Sequence, residues 1–70
     1  MAKYWVNDST ENNPNNDHEV HKEGCHLLPL ITSKTPLGEH PNCASAVAAA
    51  KKIYPNSDGC IHCIPECHTS

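Results

Sequence analysis

The apolar residues of this chain form short clusters that long polar stretches separate. Residues 3–6, KYWV, are aromatic and β-branched, which favours a β-strand. A second strand is predicted at residues 18–22, HEVHK, and pairs with the first as a hairpin. Residues 7–17 between them are dense in Asn and Asp with one Pro, so they predict a flexible polar loop. A possible third strand lies near Leu37.

One helix is strongly indicated, beginning at Cys43 and ending at Ile53 or Tyr54. Asn42 is a favourable N-cap, and the Ala-rich sequence that follows has high helix propensity. Lys51 and Lys52 complement the helix dipole in the last turn, and Pro55 cannot continue the helix.

The spacing of the apolar positions in this helix predicts a buried face. Residues at i, i+4, i+7 and i+11 lie on one side of a helix. The predicted face consists of Cys43, Val47, Ala50 and Tyr54, widened by Ala46 and Ile53.

The most apolar stretch, HLLPLI at residues 26–31, has Pro29 in its middle. Proline disfavours both a helix interior and a central strand, so an extended segment that faces the core is predicted. Gly24, just before Cys25, permits a tight turn.

The core of this chain is small. The 70 residues include no Phe, one Trp and two Tyr, and a core of this size contributes roughly 3–5 kcal/mol. We therefore expect a single α+β domain over residues 1–70, with a small β-hairpin or three-stranded sheet and one helix. A core this small needs a further cross-link to stabilise the fold. Residues 65–70 form a tail that frays in this interpretation.

Net charge and apolar segments indicate which partners and which location to expect for this protein. The net charge of −3 disfavours nucleic acid and anionic membranes as partners. No stretch reaches the ~18 apolar residues of a membrane span, and the first ten residues lack the apolar centre of a secretory signal. These features predict a cytoplasmic protein.

A reducing compartment and the odd number of five cysteines argue against a disulfide framework.

Two short motifs carry the candidate chemistry: His21-x3-Cys25 and Cys60-x2-Cys63. Each places two ligands within one turn, and together they supply the four nitrogen and sulfur atoms of a closed tetrahedral zinc site. Structural zinc contributes an apparent ~10–16 kcal/mol in small domains, far more than this core. We therefore predict a Zn²⁺ site at His21, Cys25, Cys60 and Cys63.

The remaining cysteines and histidines have plainer interpretations. Cys67 or His68 is an alternative fourth ligand in place of His21, but a free or outer thiol is favoured for Cys67. Cys43 is expected to pack in the core as a small hydrophobic residue. The other imidazoles are expected to be solvated or hydrogen-bonded, and His62 must point away from the metal: His18, His26, His40 and His62.

The order of these motifs resembles the small metal-binding domain of Ada-type alkylation-repair proteins. The resemblance covers roughly residues 3–64: a short strand, VH followed by a Cys, an apolar segment, an LGE strand, the CASAVAAAKKIYP helix and GCIHCIPECH. The Ada domain binds zinc through a Cys-x3-Cys pair and a Cys-x2-Cys pair on either side of a helix. The resemblance implies the same fold and zinc site, with ligands at His21, Cys25, Cys60 and Cys63.

One departure separates this chain from the Ada pattern. The first thiolate of the Cys-x3-Cys pair accepts a methyl group from a DNA phosphotriester in Ada-type proteins, and His21 stands at that position here. A zinc-bound imidazole has its lone pair committed, so methyl transfer is not expected.

Several functions compete on these observations. The preferred interpretation is a non-enzymatic, monomeric structural zinc module that acts on a protein partner. Alternatives are a metal sensor or chaperone that uses the surplus histidines and cysteines, a Cys60-x2-Cys63 redox protein, and a nucleic-acid adaptor. Reactive Cys-x2-Cys motifs typically begin a helix, whereas this one follows the helix.

Overall fold

The computed structural model describes residues 1–10 and 17–69. These residues form four strands, one α-helix and two short 3₁₀ turns. In chain order the elements are β1 (Ala2–Asn7), β2 (His18–Lys22), a 3₁₀ turn (Leu28–Leu30), β3 (Lys34–His40), α1 (Cys43–Ile53), β4 (Ser57–Gly59) and a second 3₁₀ turn (Pro65–Cys67). The predicted α+β class is confirmed, with one strand more than expected.

The four strands form one mixed sheet in the order β3-β1-β2-β4. β1 pairs antiparallel with both β2 and β3, as expected for a hairpin and a third strand. β4 runs parallel to β2, with Val20 opposite Gly59. This parallel pairing brings the end of the chain beside β2, which is the arrangement that builds the site described below.

Helix α1 packs on one face of the sheet. Its buried residues are Cys43, Ala46, Val47 and Ala50, and the sheet contributes Tyr4, Val6 and Val20 to the same cluster. The predicted helix boundaries and most of the predicted face are therefore confirmed. Ile53 was expected on that face but is 49% exposed.

The cap of α1 is testable by substitution. The Asn42 side-chain oxygen accepts a hydrogen bond from the backbone N–H of Ser45 at 3.0 Å. Asn42→Ala leaves that helix-end donor without its partner, so we expect a loss of about 1 kcal/mol in the free energy of unfolding, measured by urea titration. Asn42→Asp retains an acceptor and should stay close to wild type. An equal loss in both variants would contradict this role of the cap.

The segment at residues 26–31 differs from its prediction. The prediction of an extended segment is wrong: the chain makes a 3₁₀ turn at Leu28–Leu30, with Pro29 in its first turn. Leu27 and Leu28 pack against the core, but Leu30 is 74% exposed. The turn satisfies the backbone through short-range hydrogen bonds, so it needs no neighbouring strand.

Two predicted mobile segments lie only partly within the described residues. Of the predicted flexible loop at 7–17, residues 11–16 lie outside them, and Asn7 belongs to β1. In the tail, the Thr69 backbone N–H and hydroxyl both donate hydrogen bonds to the Asp58 carboxylate, at distances of 3.1–3.2 Å. His68 Nδ1 lies 3.0 Å from the Gly59 carbonyl oxygen. These contacts join residues 65–69 to β4.

Candidate metal centre

His21 reaches the site from the middle of the sheet. It lies opposite Trp5 in the β1–β2 register, next to Val20 along β2. Successive side chains of a strand point to opposite faces, so Val20 enters the core under α1 while His21 points to the other face. His21 is only 3% exposed, which means that other groups cover it on that second face.

Cys25 returns to His21 through a tight turn. Gly24 has a φ of +85°, a conformation that L-residues with a side chain rarely adopt. This turn lets the Cys25 N–H donate to the Lys22 carbonyl at 3.1 Å. The glycine predicted from sequence thus positions the first ligand pair.

Cys60 and Cys63 are positioned by β4. The Cys60 N–H donates to the Val20 carbonyl at 2.9 Å, which extends the β2–β4 pairing and places Cys60 directly beside His21. The Ile64 N–H then donates to the Cys60 carbonyl at 2.9 Å and closes the turn that carries Cys63. The C-terminal tail therefore lies beside the turn that follows β2 and carries Cys25.

The four predicted ligands converge in the structure. One ligand atom from each of His21, Cys25, Cys60 and Cys63 lies within 4.8 Å of all the others. His21 Nδ1 is 3.6 Å from the Cys25 Sγ and 4.0 Å from the Cys63 Sγ. Zinc with bonds of about 2.0–2.1 Å to nitrogen and 2.3 Å to sulfur places its ligand atoms roughly 3.5–3.8 Å apart. The cluster has the size that a tetrahedral metal ion requires.

Burial determines the protonation of these groups in the metal-free protein. Burial lowers the pKa of His21 to about 4, with a smaller contribution from the nearby charge of His62. Burial raises the pKa of the Cys63 thiol to about 12, and it also raises the pKa of Cys60. His21 is therefore a neutral imidazole with a free lone pair at pH 7, while the two thiols keep their protons until a cation arrives.

Backbone amides already point at the two thiols. The Lys22 N–H donates to the Cys63 Sγ at 3.5 Å. The backbone amides of His62 and Cys63 interact with Cys60 and oppose the rise of its pKa. Such hydrogen bonds to sulfur stabilise a thiolate and orient it, as groups around metal ligands do. The cluster of three sulfurs and one imidazole, with three of the four residues buried and no carboxylate among them, fits a divalent metal ion.

These pKa values predict the pH dependence of metal binding. Cys60 and Cys63 must each release a proton when the ion binds, whereas His21 is already neutral above about pH 5. Metal affinity should therefore fall as pH falls, by about 100-fold per pH unit between pH 8 and 6 from these two thiols alone. Competition with a chromophoric chelator at several pH values, corrected for the chelator's own protonation, measures this slope.

The control for this prediction is His21→Cys, which adds one more thiol ligand at a position that carries no proton in the wild type. The variant should steepen the dependence of affinity on pH. A wild-type slope below tenfold per pH unit would contradict the proton release.

Cys43 and Cys67 are bonded to each other, which the sequence analysis did not predict. The two form a disulfide bond with Cα atoms 6.3 Å apart, so the expectations of a free Cys67 thiol and of a chain without disulfides are wrong. Cys43 is buried at 6% exposure as expected, but in a bond rather than as a free hydrophobic residue. The first turn of α1 and the second 3₁₀ turn lie in contact, and the bond joins them. Cys67 is thereby removed as an alternative ligand.

The other histidines lie outside the four-residue cluster. His68 contacts β4, and His40 has its two ring nitrogens 3.0 Å from Ser45 Oγ and 2.9 Å from the Leu37 carbonyl oxygen. His18 stacks on Tyr54 with ring centres 3.9 Å apart, and its Nδ1 lies 2.9 Å from the Asn7 carbonyl oxygen. His26 and His62 are exposed and contact each other. The prediction of solvated or hydrogen-bonded imidazoles is confirmed for the four residues it named.

Gly59 has a role at the site that sequence reasoning missed. A Cβ at this position would lie 2.8–2.9 Å from backbone and Cβ atoms of Cys67. The tail can pack on β4 only because Gly59 has no side chain, and Gly59 directly precedes Cys60. From sequence alone, a single Gly before a Cys looks the same whether it allows close packing or forms an ordinary turn, so this role could not be predicted.

Comparison with protein-family models, with curated proteins and with solved structures gives no match for this chain. Within residues 1–10 and 17–69, every helix is too short or too polar to span a membrane.

Proposed function

We propose that this chain is a structural zinc-binding module in which one ion joins β2 to the C-terminal tail. The observation that carries the proposal is the convergence of four nitrogen and sulfur ligand atoms within 4.8 Å. The module acts as a monomer on a protein partner, through its surface rather than through chemistry at the ion. Its relation to the Ada-type domain stays a prediction.

The donor set supports zinc as the ion. Thiolates favour zinc, Cu(I) and iron–sulfur clusters, whereas carboxylate and water favour magnesium and calcium. A tetrahedral set that mixes one imidazole with three thiolates is a common structural zinc site. Bound zinc, with three thiolates and a neutral His21, changes the net charge of the chain from −3 to −4.

The closed set of ligands supports a non-enzymatic role. A catalytic zinc site typically has three protein ligands and an open position for water or substrate. Here four side chains surround the centre, and three of them are buried. An ion that they all bind has no position left for a reactant.

The thiol pKa values disfavour the redox alternative. A nucleophilic Cys-x2-Cys motif needs a thiol with a lowered pKa. Burial instead raises the pKa of Cys60, and it raises that of Cys63 to about 12. The acidic net charge disfavours the nucleic-acid adaptor.

Metal analysis tests the proposal. Protein purified without chelator should carry one zinc per chain by elemental assay and native mass spectrometry. Cobalt substitution should produce thiolate charge-transfer absorption. Cys63→Ser should lose the metal, whereas the double variant Cys43→Ala/Cys67→Ala, which changes the two cysteines outside the cluster, should keep it. Wild-type protein free of any metal after such a purification would refute the proposal.

A metal sensor or chaperone is the second candidate, because Cys63 is only half-buried. Zinc in a structural site should exchange slowly with isotopically labelled zinc in solution. Zinc bound to a sensor or chaperone should exchange quickly.

A further inference from the structure

His26 and His62 form an exposed imidazole pair that the four-ligand cluster does not use. Both side chains are exposed, and their ring centres are 5.8 Å apart with an angle of 74° between the ring planes. The two residues are 36 positions apart in sequence, so the fold and not local geometry brings them together.

The backbone holds each imidazole beside the cluster. His26 follows Cys25 in a turn closed by the Leu28 N–H, which donates to the Cys25 carbonyl at 3.1 Å. His62 lies between Cys60 and Cys63, in the turn closed by the Ile64 N–H. The two turns that carry the cysteine ligands therefore also carry the imidazole pair.

The separation of the rings suits a shared metal ion. Two imidazoles bound to one ion, with metal–nitrogen bonds of about 2.0–2.1 Å, have ring centres roughly 5–6 Å apart. Their planes need not be parallel, and the observed angle leaves the rings unstacked. Exposed side chains can also rotate to bring their lone pairs together at little cost.

Cys63 links the pair to the buried cluster. It is the half-buried member of the cluster, whereas His21, Cys25 and Cys60 are buried. It also directly follows His62 in sequence. An ion that enters from solvent at Cys63 therefore arrives at the turn that also carries His62.

We propose that His26 and His62 form a second, exposed site for a divalent transition metal, which captures the ion that the buried cluster then takes up. In the transfer the ion leaves the imidazole nitrogens and bonds to the Cys63 sulfur, whose proton passes to water. This capture step rests on the proposed zinc module, whereas the exposed site itself does not.

The exposed site can be tested alone with Ni²⁺. Added to zinc-loaded protein, this paramagnetic ion should broaden the NMR signals of the His26 and His62 rings before those of His18, and His26→Ala/His62→Ala should abolish the effect. Broadening spread equally over all six histidines would overturn the site. If the wild type proves unable to hold zinc, the same titration on metal-free protein still tests the pair, so the two proposals fail separately.

The capture role is tested by the rate of zinc uptake. Stopped-flow mixing of metal-free protein with zinc, followed by Trp5 fluorescence, should show uptake slowed by about tenfold in His26→Ala/His62→Ala, because the local concentration of the ion is lost. Final zinc occupancy and affinity should be unchanged. His18→Gln, which removes an imidazole away from the pair, should take up zinc at the wild-type rate. Equal rates in wild type and double variant, or a lower final affinity in the double variant, would overturn the capture role.

Discussion

Removal of the metal is expected to lower the free energy of unfolding by at least about 4 kcal/mol, the contribution of an ion at 1,000 times its dissociation constant. A chain of 70 residues typically has a total stability of roughly 4–10 kcal/mol. The metal-free protein should therefore keep only a small margin of stability at room temperature.

The composition of the core explains why the effect is large. The largest fully buried side chains are Ile64, Val6, Val20 and Cys60. Cys60 is itself a proposed ligand, and Ile64 directly follows the ligand Cys63. The turn that positions Ile64 is thus part of the metal site, so loss of the ion also loosens the largest fully buried side chain.

Urea titration with and without chelator measures this loss. Trp5, the one tryptophan of the chain, lies opposite His21 in the strand register and therefore reports on the site by fluorescence. Cys60→Ser should resemble the chelated wild type and respond no further to chelator. The matched control, His21→Cys, keeps four ligands and should retain most of the stability. Metal-free wild type that keeps a dispersed NMR spectrum and an unchanged urea midpoint would contradict the prediction.

The sequence predicts those parts of the molecule whose signals are local. The N-cap, the alanines and the closing proline determine α1 within the segment itself, and its boundaries match. The aromatic and β-branched run at residues 3–6 places β1 for the same reason, and β2 lies where the second strand was predicted. The spacing of His21, Cys25, Cys60 and Cys63 identifies the four residues that converge, because metal ligands occur in pairs on single turns.

Features that depend on distant contacts escape sequence reasoning. β4 has the sequence Ser-Asp-Gly, which no strand propensity favours, and it exists because it pairs with β2. The disulfide between Cys43 and Cys67 depends on where the tail packs, and that packing depends on the absence of a side chain at Gly59. The odd number of cysteines argued against a disulfide framework, although one pair and three free thiols also make five.

Loss of the disulfide is expected to cost about 3 kcal/mol in the free energy of unfolding, measured on the metal-loaded protein. Cys43 and Cys67 are 24 positions apart, and a cross-link over a loop of this length restricts the unfolded chain by about that amount. Cys43→Ala/Cys67→Ala removes the bond and places alanine, a strong helix former, at the start of α1. The metal should remain, because neither residue belongs to the four-ligand cluster.

The two single variants separate the covalent bond from side-chain packing. If the cross-link is what stabilises the fold, Cys43→Ala and Cys67→Ala should each lose nearly as much as the double variant, because either change breaks the same bond. Reduction of the wild type by a phosphine should produce the same shift, and the double variant should not respond to the reductant. Single losses that add up to the double loss would instead indicate independent packing of the two sulfurs. Chelation of the double variant should then unfold the chain completely, since β2 and α1 would both have lost their cross-link to the tail.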